Sequence, residues 1–444
     1  MKRKIYQQLL NWKSSTNRKP LMLLGARQVG KTWIMQHFGE KEYEKVAYVN
    51  CDDEPQMKQL FELDYNIERI LITLQAITGV KITPGDTLII FDEIQEVTRG
   101  LHSLKYFCEK APDYHVMVAG SLLGVTLGKG ESFPVGKVDM LTMYPMDFEE
   151  YLEATGHEAW LELLHSGDWD LIEVMKPKMV ELLRQYYYVG GMPGVVSHFI
   201  RHADLQQVRT LQREILEAYR RDISKHTTPT ESTRIRQVLD SLPAQLAREN
   251  KKFIYGAVRQ GSRAKDFELA IQWLLDAGIV HKLSRIKEPK LPLKFYEDMD
   301  AFKLFMLDCG LLACMTDAPA DQMLIGNQVF TEWKGAFTEQ YVMQQLLAMG
   351  LKPYYWSNSK TPAEIDFIVQ HGSRVIPIEV KAEENVRARS LAQFIKDNPE
   401  LKGLRISMKG YVDQDWMENI PLIAIATYFQ LLLSGKTFWM HQNL

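Results

Sequence analysis

Cysteine is scarce in this chain: Cys51, Cys108, Cys309 and Cys314 are the only four in 444 residues. No two stand as CxxC, and no His/Cys set has zinc spacing, so neither a disulfide framework nor a structural zinc site is expected and the thiols read as reduced. Long apolar runs are missing too. The most apolar late stretch, Leu422 to Leu433, is too short to span a bilayer and includes Thr427 and Gln430. The N-terminus, Met1-Lys2-Arg3-Lys4-Ile5-Tyr6, is basic, but no apolar segment follows it as a secretory leader requires. A cytoplasmic location and no membrane partner are therefore expected. Low-complexity segments and long repeats are absent, which excludes a solenoid and a mainly disordered chain. An excess of one charge sign is lacking as well: 53 Lys+Arg stand against 56 Asp+Glu, a formal net charge of -3. That excludes a uniformly basic nucleic-acid coat but not a local basic face. Residues 146–185 hold ten acidic and three basic residues, whereas 201–290 hold eleven acidic and eighteen basic. An acidic stretch is thus followed by a basic one.

What is present is an ordinary globular composition, 46% hydrophobic and 25% charged, in a chain long enough for about three domains. The short apolar runs Leu21–Leu24, Val46–Asn50, Thr87–Phe91 and Val116–Ala119 alternate with helical stretches around 31–39, 55–78 and 99–110. That order predicts a parallel α/β sheet over residues 1–145. Residues 146–230 read as a helical lid or linker, broken at Gly190-Gly191-Met192-Pro193. Residues 231–310 read as helix, turn, helix and two strands (Ile279–Leu283 and Lys294–Tyr296), a winged-helix order. Residues 320–444 return to α/β.

Gly25-Ala26-Arg27-Gln28-Val29-Gly30-Lys31-Thr32 fits G-x-x-x-x-G-K-[ST], the phosphate-binding loop, between an apolar strand and a helix. Gly25 and Gly30 let the backbone curl so that successive N–H groups point into one concavity, and the following helix adds its positive end. Lys31 would reach the β- and γ-phosphates of ATP, and the Thr32 hydroxyl would bind Mg²⁺. Leu88-Ile89-Ile90-Phe91-Asp92-Glu93 is an apolar strand ending in two acids, the Walker B pattern. Asp92 would hold Mg²⁺ and Glu93 would polarise the attacking water as general base. Ser121, closing the strand that begins at His115, would sit near the γ-phosphate as a sensor, with Gln95 assisting. A plain strand-end turn is the alternative for Ser121.

Residues 19–32, Asp92-Glu93-Ile94-Gln95, Gly120-Ser121, Tyr144-Pro145 and Gly190-Gly191-Met192-Pro193 together resemble a prokaryotic AAA-type ATPase family whose members carry an uncharacterised, nuclease-like C-terminal domain. The resemblance covers almost the whole chain in order. It implies a P-loop NTPase parallel sheet with a helical lid, a winged-helix middle domain and a C-terminal restriction-endonuclease-like α/β domain. Before Tyr144-Pro145 the family has a Gly-Arg pair where this chain has Gly136-Lys137. Lysine lacks the planar fork of arginine, and Arg27, Arg220 and Arg221 are the spare candidates for a finger. A homo-oligomer or a protein partner that completes the site is open.

Two further constellations carry chemistry. In a DNA-binding winged helix, Arg259, Arg263 and Lys265 would meet phosphates or base edges, and Lys282, Arg285, Lys287 and Lys290 would dress the wing. A protein-binding winged helix with a solvated face is equally consistent with these residues. Near the C-terminus, Ala363–Val369 and Ile376–Lys381 read as two strands of a hairpin turning at Gly372-Ser373. Glu379 and Lys381 share a face. With Asp366 beside them, and Glu339 reaching in from a helix, they match the (P)D…(D/E)-x-K arrangement, in which carboxylates bind Mg²⁺ for phosphodiester cleavage. A salt-bridged structural core explains the same residues.

Two functions are expected from this: an ATPase joined to a working nuclease on nucleic acid, or a nucleotide-gated DNA- or protein-binding switch whose nuclease-like domain is inactive. A small-molecule kinase would leave the winged helix and the C-terminal set unexplained.

Overall fold

A computed structural model describes residues 1–97, 99–128, 134–248, 251–325, 334–358, 361–383 and 388–433. The chain forms two compact units. One holds Lys2–Tyr144 with residues 272–279; the other holds Met1, Pro145–Ile271 and Val280–Leu444.

The first unit is built on five strands, β1 (Leu21–Leu24), β2 (Lys45–Asn50), β3 (Thr87–Asp92), β4 (His115–Ala119) and β5 (Asp139–Thr142). Their order in the sheet is β2-β3-β4-β1-β5, and every pairing is parallel. The apolar runs become strands because β3 and β4 are buried along their whole length. Parallel strands covered on both faces select for continuous rather than alternating hydrophobicity. Their side chains pack with Leu60, Phe61, Ile70 and Leu74 from two helices, Pro55–Leu63 and Ile67–Thr78. Strand β5 was not expected. It lies at the sheet edge and alternates between half-buried and exposed positions, so it leaves no apolar run to read.

The second unit begins as helices. Trp169–Val189 ends at Gly190, whose φ is +76°. A Cβ there would collide with the carboxylate of Asp308 and with Gly310, and Gly191 donates its N–H to Asp308 Oδ2 at 2.6 Å. The Gly-Gly pair is therefore required by a residue more than a hundred positions away. After the helix Leu205–His226, Thr228 caps the next helix, Pro229–Leu246, in a reciprocal capping box with Glu231.

The unit's sheet has eight strands: β6 (Val280–Ile286), β7 (Glu297–Met306), β8 (Tyr354–Ser357), β9 (Glu364–His371), β10 (Arg374–Val380), β11 (Gly403–Ser407), β12 (Val412–Asp413) and β13 (Met417–Pro421). Their order is β12-β13-β11-β10-β9-β8-β6-β7. The β6–β7 pair is antiparallel, and β6 runs parallel to β8, so one sheet carries strands from both sides of residues 310–320. Helix, short helix and ribbon occur in the expected sequence as Ala264–Asp276 after Tyr255–Val258, then β6 and β7. The second strand was misplaced, however. Lys294–Tyr296 lies in a 3₁₀ turn, and pairing with β6 starts at Glu297. Strands β9 and β10 form the expected hairpin, with Gly372 at φ +55° in its turn.

Candidate functional site

In the first unit the loop 25–32 curls through two left-handed glycines, Gly25 at φ +138° and Gly30 at φ +96°, with Gln28 also at positive φ. A Cβ on Gly25 would overlap the Met143 carbonyl oxygen. Only glycine fits there. Gly278, from the 272–279 segment of the same unit, lies against the loop; a Cβ on it would stand 3.3 Å from the Ala26 amide nitrogen. Lys31 opens the helix Lys31–Glu42 and is buried. Its Nζ donates to the Gly25 and Ala26 carbonyls, each at 2.8 Å. Burial lowers its pKa to about 8, against the pull of Glu93 and Asp92.

Thr32 and Asp92 are brought together: Thr32 Oγ1 donates to Asp92 Oδ2 at 2.6 Å. Tyr48 from β2 donates to the same oxygen at 3.1 Å. The Glu93 amide donates to Asp92 Oδ1. Burial raises the Asp92 pKa in spite of these donors. Glu93 sits at φ 50°, ψ 42°, a left-handed conformation uncommon for glutamate and characteristic of functional sites. Its Oε2 accepts three hydrogen bonds: from the Ser121 amide and the Ser121 hydroxyl, each at 3.0 Å, and from Gln95 Nε2 at 2.5 Å. Burial acts to raise its pKa, but the Ser121 and Gln95 donors outweigh it and the net shift is downward.

Lys31 thus folds back onto the loop at Gly25 and Ala26, Thr32 meets Asp92, and Glu93 meets Gln95 and Ser121. Tyr48 was missed; no spacing rule marks a hydroxyl on a neighbouring strand. Two hard oxygen donors side by side, Thr32 and Asp92, suit Mg²⁺, which takes few protein ligands and completes its shell with phosphate and water. The spare arginines stand otherwise. Lys137 is ion-paired to Glu109 at 3.0 Å, Arg220 to Glu217 and Asp240, and Arg27 and Arg221 are exposed.

The C-terminal constellation lies wholly within the second unit. Strand register pairs Phe367 with Ile378, so Asp366 and Glu379, the next residues along, fall on one face. Asp366 Oδ2 accepts the Val380 N–H at 2.7 Å. Lys381 Nζ is 2.9 Å from Glu379 Oε1. Glu339, on the helix Lys334–Ala348, does reach in. Two lysines that sequence reasoning missed come with it. Lys251 Nζ is 2.5 Å from Glu339 Oε1. Lys303 Nζ, fully buried on β7, is 2.5 Å from Glu364 Oε1 and 3.8 Å from Glu339 Oε2. Burial lowers the Arg405 pKa, against the pull of the Glu379 charge. The signal for Lys303 was legible: a lone lysine in the apolar run Ala301–Met306.

The metal set implied for this cluster does not fit it as built. Each carboxylate is engaged by an ammonium group or an amide, and four cations face Glu339, Glu364, Asp366 and Glu379. Among the described residues no group of three or more His, Cys, Asp and Glu side chains is disposed to hold a metal ion. Burial and the Glu339 charge push the Asp366 pKa up to about 7, against the pull of Lys303.

The basic face divides. Arg259, Arg263, Lys265 and Lys287 are exposed. Arg285 is paired to Asp298, Lys290 to Glu288, and Lys282 lies over the Phe302 ring. No helix among the described residues is long and apolar enough to cross a membrane.

Residues 180–322 match a domain of unknown function (DUF8612), and residues 334–431 match another (DUF4143). No curated protein matches the chain. Solved structures similar to the chain include three from archaea. A Walker-type ATPase of Pyrococcus abyssi is 15% identical over 71% of this chain and 95% of its own, with a TM-score of 0.44. The ORC1 protein of Aeropyrum pernix, in complex with DNA, is 12% identical over 72% and 92%, with a TM-score of 0.27. Cdc6p from Pyrobaculum aerophilum is 12% identical over 71% and 94%, with a TM-score of 0.25. The P-loop unit itself, its strands parallel and its Thr32, Asp92 and Glu93 gathered together, agrees with the remaining match: residues 17–152 match the model of an AAA domain.

Proposed function

We propose that the chain binds and hydrolyses ATP at the P-loop site and uses nucleotide occupancy to alter its grip on nucleic acid, without cleaving it. The observation that carries the ATPase reading is the contact of Thr32 Oγ1 with Asp92 Oδ2 at 2.6 Å, beside Lys31 and Glu93. The backbone amides of 25–32 would cradle the phosphates, and Lys31 would exchange its two carbonyl partners for phosphate oxygens. Mg²⁺ held by Thr32 and Asp92 would neutralise charge between the phosphates. Glu93 would take the proton of the attacking water at its carboxylate, once Ser121 and Gln95 release it.

Nucleic acid as the partner rests on the basic excess of residues 201–290 and on exposed Arg259, Arg263, Lys265 and Lys287, which suit phosphate contacts. The non-cleaving reading rests on the lysines that neutralise the C-terminal carboxylates.

ATP turnover by wild type, Lys31→Ala and Glu93→Gln tests the first claim; wild-type turnover no faster than that of either variant would end it. Anisotropy of a labelled duplex with ATP, ADP and no nucleotide tests the second, and equal affinity in all three states would reject gating. Linear and supercoiled DNA incubated with Mg²⁺ or Mn²⁺ tests the third. Cleavage by wild type that Asp366→Ala loses would restore the nuclease.

A further inference from the structure

Lys303 is an unusual residue to find where it is. It is 0% exposed, on a strand whose neighbours Ala301, Phe302, Leu304, Phe305 and Met306 are apolar. Burying an ammonium group costs several kcal/mol, on the order given for any buried ion, unless opposite charge surrounds it. Here it does: Glu364 Oε1 is 2.5 Å away and Glu339 Oε2 3.8 Å, and the Tyr355 ring centroid lies 4.9 Å from Nζ. Lys251 completes the arrangement on the other oxygen of Glu339. Neither lysine belongs to the segment 334–431 that supplies the four carboxylates. A second observation points to unused capacity in the same place. Glu339 Oε2 and Glu379 Oε2 are both buried and have no hydrogen-bond partner among the described residues. Orphaned buried carboxylate oxygens are costly, and these two are the donors a cation would gain once a lysine is removed.

We propose that the ammonium groups of Lys251 and Lys303 take the place of a divalent cation in the C-terminal carboxylate cluster, so that the folded chain binds no Mg²⁺ or Mn²⁺ there. The positive charge is supplied by Lys251 and Lys303 instead of by solvent, and it fastens Lys251 to the helix Lys334–Ala348 and β7 to that helix and to β9. Removing either lysine takes one positive charge away from the oxygen donors of Glu339, Glu364 and Asp366, which together are the composition that binds a hard divalent cation. This rests on the non-cleaving reading given above.

The test is a Mn²⁺ titration of the full chain without nucleotide, by calorimetry and by the electron paramagnetic resonance signal of free Mn²⁺. Wild type and Asp366→Asn are expected to give the same isotherm. Lys251→Met and Lys303→Met are each expected to gain one site, at least about tenfold tighter than any in wild type, because a unit charge a few ångströms away has been removed. Adding Asp366→Asn to either variant should abolish the gain. If Lys303→Met does not fold, Lys251→Met, whose side chain is 13% exposed, still decides the matter. A wild-type Mn²⁺ site that Asp366→Asn removes would overturn the proposal, and so would folded lysine variants that gain no site. An Asp366-dependent Mn²⁺ site in wild type without DNA cleavage sinks the lysine replacement alone, whereas cleavage lost in Asp366→Asn sinks the non-cleaving reading as well.

Discussion

The two carboxylate sites of this chain are held in opposite ways. At the P-loop, Asp92 and Glu93 are fixed by neutral donors: the hydroxyls of Thr32, Tyr48 and Ser121, the Ser121 amide and the Gln95 carboxamide. At the C-terminal cluster, Glu339, Glu364 and Glu379 are fixed by ammonium groups. Dipoles orient a carboxylate without cancelling its charge, so the first site still attracts a cation. Ion pairs orient and cancel together, so the second has spent its charge inside the protein. Counting acids in a sequence cannot separate these cases, because the distinction lies in what the acids touch.

The largest expected effect is on turnover. Glu93→Gln should lower ATP hydrolysis by about 10²- to 10⁴-fold while leaving nucleotide binding intact, since the amide still accepts hydrogen bonds but takes no proton. Lys31→Ala should lose binding itself. Isotope-labelled nucleotide retention beside a phosphate-release assay separates the two. Equal loss of binding in both variants would mean that Glu93 is structural, and the comparison would collapse at its first member.

Stability should sharpen it next. Lys303→Met should cost about 3 kcal/mol, because Glu364, half-buried, loses its ammonium partner while Glu339 keeps only Lys251. Asp92→Asn should cost nothing or stabilise, because burial already disfavours the Asp92 charge. Adding Glu364→Gln to Lys303→Met should recover part of the loss in a double-mutant cycle of unfolding midpoints.

The pH dependence contributed by Glu93 at the first site and by Asp366 at the second should run in opposite senses. Glu93 lies below its ordinary value of 4.5, so its stabilising contribution is present above that pH and fades as pH falls. Asp366 rises from 3.8 to about 7, so the folded state holds its proton longer and stability declines as pH rises between those values. The span sets an upper limit of about 4 kcal/mol. Asp366→Asn, which keeps an acceptor for the Val380 N–H, should therefore raise the unfolding midpoint more at pH 8 than at pH 5. An equal rise at both would remove Asp366 titration from the account.

How much of this was legible follows from how local each feature is. The phosphate loop occupies eight consecutive residues, and its geometry depends on two glycines within them, so sequence alone placed Lys31 and Thr32. Glu379 and Lys381 were legible as a same-face pair because strand period is two. Lys251 was not, since its partner Glu339 is 88 positions away and nothing local marks it. Gly190-Gly191 was readable as a turn but not as the seat of Asp308. Strand β5 escaped because an edge strand is free to alternate, and an alternating four-residue run is too short to distinguish from a loop.

The smallest effect concerns how tightly the neutral donors hold Glu93. Three hydrogen bonds end on one oxygen, and that oxygen belongs to the group proposed to accept the water's proton. A carboxylate so engaged is a weaker base, and its downward pKa shift reports the same thing. Gln95 donates one of the three, and its Oε1 is itself buried without a hydrogen-bond partner among the described residues, so its hold on Glu93 carries a local cost. Gln95→Ala removes one neutral bond worth about 1 kcal/mol. Basal ATP turnover should rise by about fivefold, the factor that such an energy commands, with nucleotide affinity unchanged. A fall in turnover would instead make Gln95 a positioning residue that aims Glu93 at the water. Neutral donors would then be what makes the P-loop carboxylate productive, and the contrast with the lysine-bound cluster would lie in alignment as much as in charge.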